Sequence, residues 1–162
     1  MKKFNRKNNF KKGSLLVEIL IASSIIVILT LAMMNVVQKG ISVSHQSLHI
    51  TQASFLLEEG GEVTRILRDN AWSNISNLTL GTNYYPTFGN NTWTLSTTPS
   101  QVGIFTRTVT FSQVLRDAVT GDISNSGSID TGTKLVTVNV SWSESGQTIS
   151  KNLKFYISNI FQ

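Results

Sequence analysis

From Ser14 to Val37 the chain is an almost unbroken run of apolar residues in which Glu18 is the one ionisable side chain. The stretch Ile19 to Val37 carries no charge, and as a helix it would measure about 28 Å, close to the hydrocarbon thickness of a bilayer. Beyond it the pattern turns one-sided. Between Gln38 and Asp69, Ile41, Leu48, Phe55, Leu56, Val63, Ile66 and Leu67 recur at three, four and seven residues, while Lys39, Gln46, Gln52, Glu59, Glu62 and Arg65 are polar. That period predicts an amphipathic helix continuous with the apolar one. A single helix from Ser14 to Asp69 would be about 84 Å long by rise per residue. Gly40 and the pair Gly60-Gly61 read as weak points where bending or local melting is expected.

After Asn70 the pattern changes again, to Ser, Thr, Asn and Gly interleaved with single apolar residues. Thr92–Thr98 and Ile104–Val114 read as strands. Lys134–Ser143 alternates most cleanly, with Val136, Val138, Val140 and Trp142 on one face and Thr137, Asn139 and Ser141 on the other. Glu144-Ser145-Gly146 predicts a turn into a strand over Thr148–Ile157, where Ile149, Leu153, Phe155 and Ile157 share parity. Asn70–Asn91 reads as a loop-rich connection, and Asp117–Thr133, with Gly121, Gly127 and Gly132, as a loop at a hairpin tip. The economical architecture is α+β: an antiparallel sheet with one face covered by the helix.

Charge distribution changes the picture at the N-terminus. The net charge is +5, yet Lys2, Lys3, Arg6, Lys7, Lys11 and Lys12 all precede Gly13 with no acid among them, and the remainder is nearly neutral. A nucleic-acid binder needs its cations on the folded surface that meets phosphate, so no specific nucleic acid is expected as a partner. A basic tail before an apolar run, with only Lys39 just after it, predicts one membrane span with a cytoplasmic N-terminus and an extracytoplasmic C-terminal part. The absence of cysteine excludes a disulfide framework, thiolate catalysis and cysteine zinc sites. Ala22-Ser23-Ser24 imitates a signal-peptide cleavage site, but the apolar run continues well past it. A plain uncleaved anchor fits the hydropathy and leaves Glu18 unexplained, because a lone acid at the edge of a membrane helix usually has a partner.

The string Lys11-Lys12-Gly13-Ser14-Leu15-Leu16-Val17-Glu18, followed by about twenty apolar residues, resembles the class III signal of type IV pilins and type II secretion pseudopilins. The resemblance implies a prepilin peptidase that cuts after Gly13 and methylates the new N-terminal amine of Ser14. Residues 1–13 would be a basic leader, 14–37 the transmembrane and assembly half of the helix, 38–69 its amphipathic half, and 70–162 an extracytoplasmic β-rich domain. Glu18 would correspond to the family's glutamate four residues beyond the new N-terminus. Ser14 departs from the phenylalanine common at that place in major pilins, a position that varies in minor subunits. The implied role is structural and non-enzymatic: a minor pilin or pseudopilin that rests in membrane lipid, meets the inner-membrane assembly platform, and joins other subunits in a filament at the cell surface. No cofactor is implied. The alternative is a single-pass, membrane-anchored extracytoplasmic binding or sensor domain that does not polymerise.

Other constellations offer less chemistry. His45 and His49 stand at a metal-ligand spacing on a helix, but the residues between them are Gln46-Ser47-Leu48 and no third ligand suggests itself, so the pair reads as a solvated face and no metal is expected. Glu58, Glu59 and Glu62 with Arg65 and Arg68 read as solvated ion pairs along the helix. Asp117, Asp122 and Asp130 lie in a glycine-containing loop whose spacing is not that of an EF-hand. Asn74-Ile-Ser76 and Asn77-Leu-Thr79 satisfy a glycosylation pattern that a chain rich in these residues produces by chance. No phosphate-binding loop, nucleophile elbow or Ser/His/Asp ordering occurs.

Overall fold

The computed structural model describes residues 12–161; of the basic tail, Lys2, Lys3, Arg6, Lys7 and Lys11 lie outside them. Helix α1 runs unbroken over Lys12–Asn70, and one further turn of helix, α2, covers Ser73–Ser76. Seven strands follow: β1 (Tyr85–Gly89), β2 (Thr92–Ser96), β3 (Gln101–Val102), β4 (Phe105–Arg116), β5 (Ile123–Ser124), β6 (Ser128–Glu144) and β7 (Gln147–Ser158). The chain forms two compact units, one up to Leu48 and one from His49 onward. The architecture is α+β, a long N-terminal helix with an antiparallel sheet packed on its later part.

The sheet of the second unit is built on two long antiparallel pairings, β4 with β6 and β6 with β7. The turn from β6 to β7 is the two-residue Ser145-Gly146, with φ of 51° and 79°. Positive φ at both positions matches the right-handed twist of the flanking strands, which is why serine and glycine close this hairpin. The far edge of β4 is covered by three successive pieces: β3, the segment through Tyr84, and β5. In the middle one, the Tyr84 and Val109 backbones exchange hydrogen bonds of 2.9 and 2.8 Å, and the Gly81 N–H donates to Phe111 O at 2.9 Å. Short pieces in place of one long strand blunt that edge against further pairing.

The core lies between α1 and one face of the sheet. Val63 and Leu67 of the helix meet Val109, Phe111, Val136, Val138 and Ile157, with Ile75 of α2 and Tyr84 completing the cluster. Ala53 continues it beside Phe105, Val140 and Trp142. Each fully buried aliphatic or aromatic side chain contributes about 1.5–3 kcal/mol. The face anticipated for Lys134–Ser143 is the buried one: Val136, Val138 and Val140 have no exposure and Trp142 has 2%.

The pattern and the structure differ in four places. Gly60-Gly61 is not a weak point but the place of closest approach. A Cβ on Gly60 would stand 2.6 Å from Val138 Cγ1, and one on Gly61 would sit against the Phe155 ring. The buried helical stripe is made of smaller residues than expected: Ala53, Gly60, Gly61, Val63, Thr64 and Leu67 are buried, while Phe55 and Ile66 stay 66% and 41% exposed. Asn70–Asn91 is not only connection, since it holds α2 and β1. Pro86 hides that strand from a propensity reading, and it is tolerated because β1 pairs only with β2, across Asn90-Asn91 in positive φ. Finally, Ser128–Thr133 is strand, not loop. Gln113 pairs with Lys134 and Val114 with Asp130, so Thr131, Gly132 and Thr133 are skipped on the β4 side in a wide bulge.

Overpacking in Gly60→Ala is expected to cost about 1–3 kcal/mol, because the stiff, buried Val138 cannot move aside, and the gain of about 1 kcal/mol that alanine brings to a helix leaves a net destabilisation of up to about 2 kcal/mol. Gly40→Ala, with nothing within 4 Å of its Cβ, is the control and should be neutral or stabilising. Urea unfolding of the detergent-solubilised chain, followed by tryptophan fluorescence, measures both.

Candidate functional site

Within the first unit, every large apolar side chain from Leu15 to Val37 is exposed, between 51% and 72%. The helix is long and apolar enough to cross a membrane, consistent with a single-pass membrane protein. Its hydroxyls are satisfied internally. Ser23 Oγ donates to Leu20 O at 3.0 Å, Ser24 Oγ to Ile21 O at 2.7 Å, and Thr30 Oγ1 to Ile26 O at 2.8 Å. Hydroxyls folded back onto the helix backbone demand nothing of the surroundings, so these residues remain compatible with lipid while staying small enough for close helix approach.

Glu18 is the one ionisable residue of this run. It is exposed, it shares a shallow groove with Val17, Ile21, Ala22 and Ile25, and it makes no hydrogen bond or ion pair among the described residues. Residues i, i+3, i+4 and i+7 share a helix face, so its carboxylate rises from an apolar stripe. Gly13 and Ser14 lie in the first turns of α1. Ser14 precedes Glu18 by four residues, about one turn of helix.

The remaining sequence candidates are in the second unit, apart from His45, and several are less solvated than their pattern suggested. His45 is exposed, but His49 is half-buried. The His49 ring meets Phe105 edge-on at 6.2 Å, and its Nδ1 lies 3.7 Å from Glu144 Oε1. The other oxygen of Glu144 accepts from Trp142 Nε1 at 3.1 Å. The two histidines thus part company: one stays on the surface and the other is held between β4 and β6. Glu62 pairs with Arg65 at the surface as expected. Glu59 does not pair along the helix but takes a 2.5 Å ion pair from Arg107 of β4, whose side chain is only 3% exposed and lies 5.7 Å over the Trp93 ring. No short-range spacing could reveal that pair, because its partners are 48 residues apart.

The three aspartates are also dispersed in function. Asp117 accepts the Val119 and Thr120 backbone N–H groups at 2.8 and 3.0 Å. These bonds, Thr120 first, hold its carboxyl below the ordinary range. Asp130 is likewise lowered, chiefly by the Thr133 hydroxyl, which outweighs the opposing effect of burial, and further by Arg116 and the Gly132 N–H. Arg116 Nε meets Asp130 Oδ2 at 2.6 Å, which pins the base of the wide bulge. Asn74, in the first glycosylation pattern, is exposed, but its side-chain amide donates to Leu67 O at 3.1 Å and so caps the end of α1.

A carboxyl whose folded pKa is depressed adds stability that is present above its unfolded value, near 4, and is lost as pH falls through the lower folded value. Asp130→Asn is therefore expected to be less stable than the parent at pH 6 and to lose less on acidification to pH 3. Urea midpoints at the two pH values check this. No protein-family model, curated protein or solved structure matches this chain.

Proposed function

We propose that this chain is a structural subunit of a type IV pilus-like or type II secretion filament, of the minor pilin or pseudopilin kind. It would be processed after Gly13 and assembled through its N-terminal helix. The observation that carries this reading is Glu18: a carboxylate without a partner among the described residues, on the apolar face of a lipid-length helix, five residues past the glycine that ends a basic leader.

Cutting after Gly13 removes all six leader cations and leaves an α-ammonium on Ser14. A carboxylate taken into an apolar bundle is costly alone, and an ammonium from a neighbouring subunit offsets that cost while fixing the axial register between helices. The uniform exposure of Leu15 to Val37 supports the same reading, since such a surface demands lipid before assembly and sister helices after it. Orientation follows the charge bias, with the leader cytoplasmic and the β domain outside. The partners are then a prepilin peptidase, an inner-membrane assembly platform and other subunits, and the chain catalyses no reaction.

Co-expression with a prepilin peptidase should yield a product lacking thirteen residues that begins with an N-methylated Ser14, read by intact mass and terminal peptide sequencing. Gly13→Val should block the cut, because a small residue must fit the peptidase there. A chain that retains its leader, in cells that process other prepilins, would be a tethered extracytoplasmic domain instead. Glu18→Ala should be cut normally but recovered in sheared filaments about tenfold less or lower, since a buried ammonium left unpaired costs about 3–5 kcal/mol. Wild-type recovery of the alanine variant would remove the pairing argument.

A further inference from the structure

The face of the sheet turned away from α1 is an ordered polar array. Its cross-strand rows are Thr106–Ser141–Ser150, Thr108–Asn139–Asn152, Thr110–Thr137–Lys154 and Ser112–Leu135–Tyr156. At the last row the array ends against a cavity of about 560 Å³, formed where the wide bulge and β5 pull the strands out of register. Gln113, Ser124, Asn125 and Tyr156 supply its polar groups, four aliphatic residues including Leu135 make up the rest of its lining, and no charged residue lines it.

We infer that this cavity is a binding site for a neutral saccharide, with Tyr156 as the platform under one sugar ring. Tyr156 is 52% exposed, and among the described residues it makes no hydrogen bond or ring contact. An aromatic face left open beside apolar Leu135 suits the C–H face of a sugar, which is apolar while the ring's rim is polar. The side-chain amides of Gln113 and Asn125 also have no hydrogen-bond partner among the described residues. An amide both donates and accepts, as a sugar hydroxyl does, so two amides and the Ser124 hydroxyl can pair with neighbouring hydroxyls whichever way these point.

The lining also excludes other classes. A phosphate or carboxylate would find no cation within the cavity, and an apolar ligand would strand two amides without partners. Concave sites with a few placed polar groups beside an aromatic surface are the usual form for small neutral ligands. The hydroxyl and amide rows continue from the cavity toward Asn139, Asn152 and Ser141, so further units of an oligosaccharide have polar partners along the sheet. The cavity lies within the second unit and is the same whether or not the chain polymerises.

The test uses the full chain in a zwitterionic detergent, because sugar-headed detergents would compete for the site. Neutral hexamers of glucose, mannose and N-acetylglucosamine, together with an array of neutral glycans, are screened by saturation-transfer NMR and titration calorimetry. At least one neutral saccharide should bind at about millimolar or tighter. Tyr156→Ala should weaken it by about tenfold, with Tyr156→Phe close to the parent, as a stacking contact requires. The tyrosine is exposed, so both variants should fold, and circular dichroism confirms that they do. Absence of binding by every neutral probe would overturn the proposal. So would unchanged affinity in Tyr156→Ala, or binding confined to anionic saccharides and abolished by Lys154→Ala.

Discussion

The molecule depends on burying one helix in two different ways. Between Leu15 and Val37, sixteen large apolar side chains are more than half exposed. At about 1.5–3 kcal/mol for each such side chain removed from water, the driving force for covering them is tens of kcal/mol. A whole domain's folding stability is only about 5–15 kcal/mol. Nothing in the second unit could compensate for leaving that surface in water, so the first unit must live in lipid or against other apolar helices. Its hydroxyls agree with this demand, each already bonded to the helix's own carbonyls.

From His49 onward the same helix meets the opposite condition, a sheet of its own chain. Here the side chains shrink where the surfaces touch. Gly60 lets the helix backbone reach Val138, and Thr64 closes its hydroxyl onto Gly60 O at 2.9 Å. Beside that contact the Glu59–Arg107 pair locks the helix to β4. A buried guanidinium is costly unless paired, so the pair specifies which turn of the helix sits over which strand more than it adds net stability. A one-turn slip of α1 would carry Glu59 away from Arg107 and drive a larger residue toward Val138.

These two conditions explain what could be read from the residues. A uniformly apolar run and a clean period-two strand are local patterns, and both Leu15–Val37 and Val136–Trp142 were legible because each records its surroundings directly. Gly60-Gly61 was misread because glycine has two opposite meanings in a helix, local weakness or close approach, and only the presence of Val138 across the gap decides between them. β1 was hidden by Pro86, which is acceptable on a strand paired along one side alone. The strand over Ser128–Thr133 was hidden by glycines belonging to a bulge. His49 and Glu59 read as solvated because nothing near them in sequence announces Phe105, Glu144 or Arg107. At the N-terminus the position was reversed: Gly13, Ser14 and Glu18 form a short pattern that sequence alone displays, and an isolated chain adds only that Glu18 is without a partner.

That last difference gives Glu18 its weight. Within its own fold this chain meets the buried Arg107 with Glu59 and Asp130 with Arg116. Glu18 is treated differently: α1 carries no cation between Leu15 and Gln38 that could reach it in lipid. A carboxylate so placed must turn toward the headgroups, take up a proton, or be met by a cation from another molecule. The first two outcomes would serve equally well with a neutral residue at that position, and neither gives the carboxylate a task. Pairing in trans is the one state in which the charge itself matters, and it is also the state in which the exposed apolar helix is covered. The same contact would then satisfy both the lone charge and the uncovered surface, which ties the first unit's two unmet demands to a single partner surface.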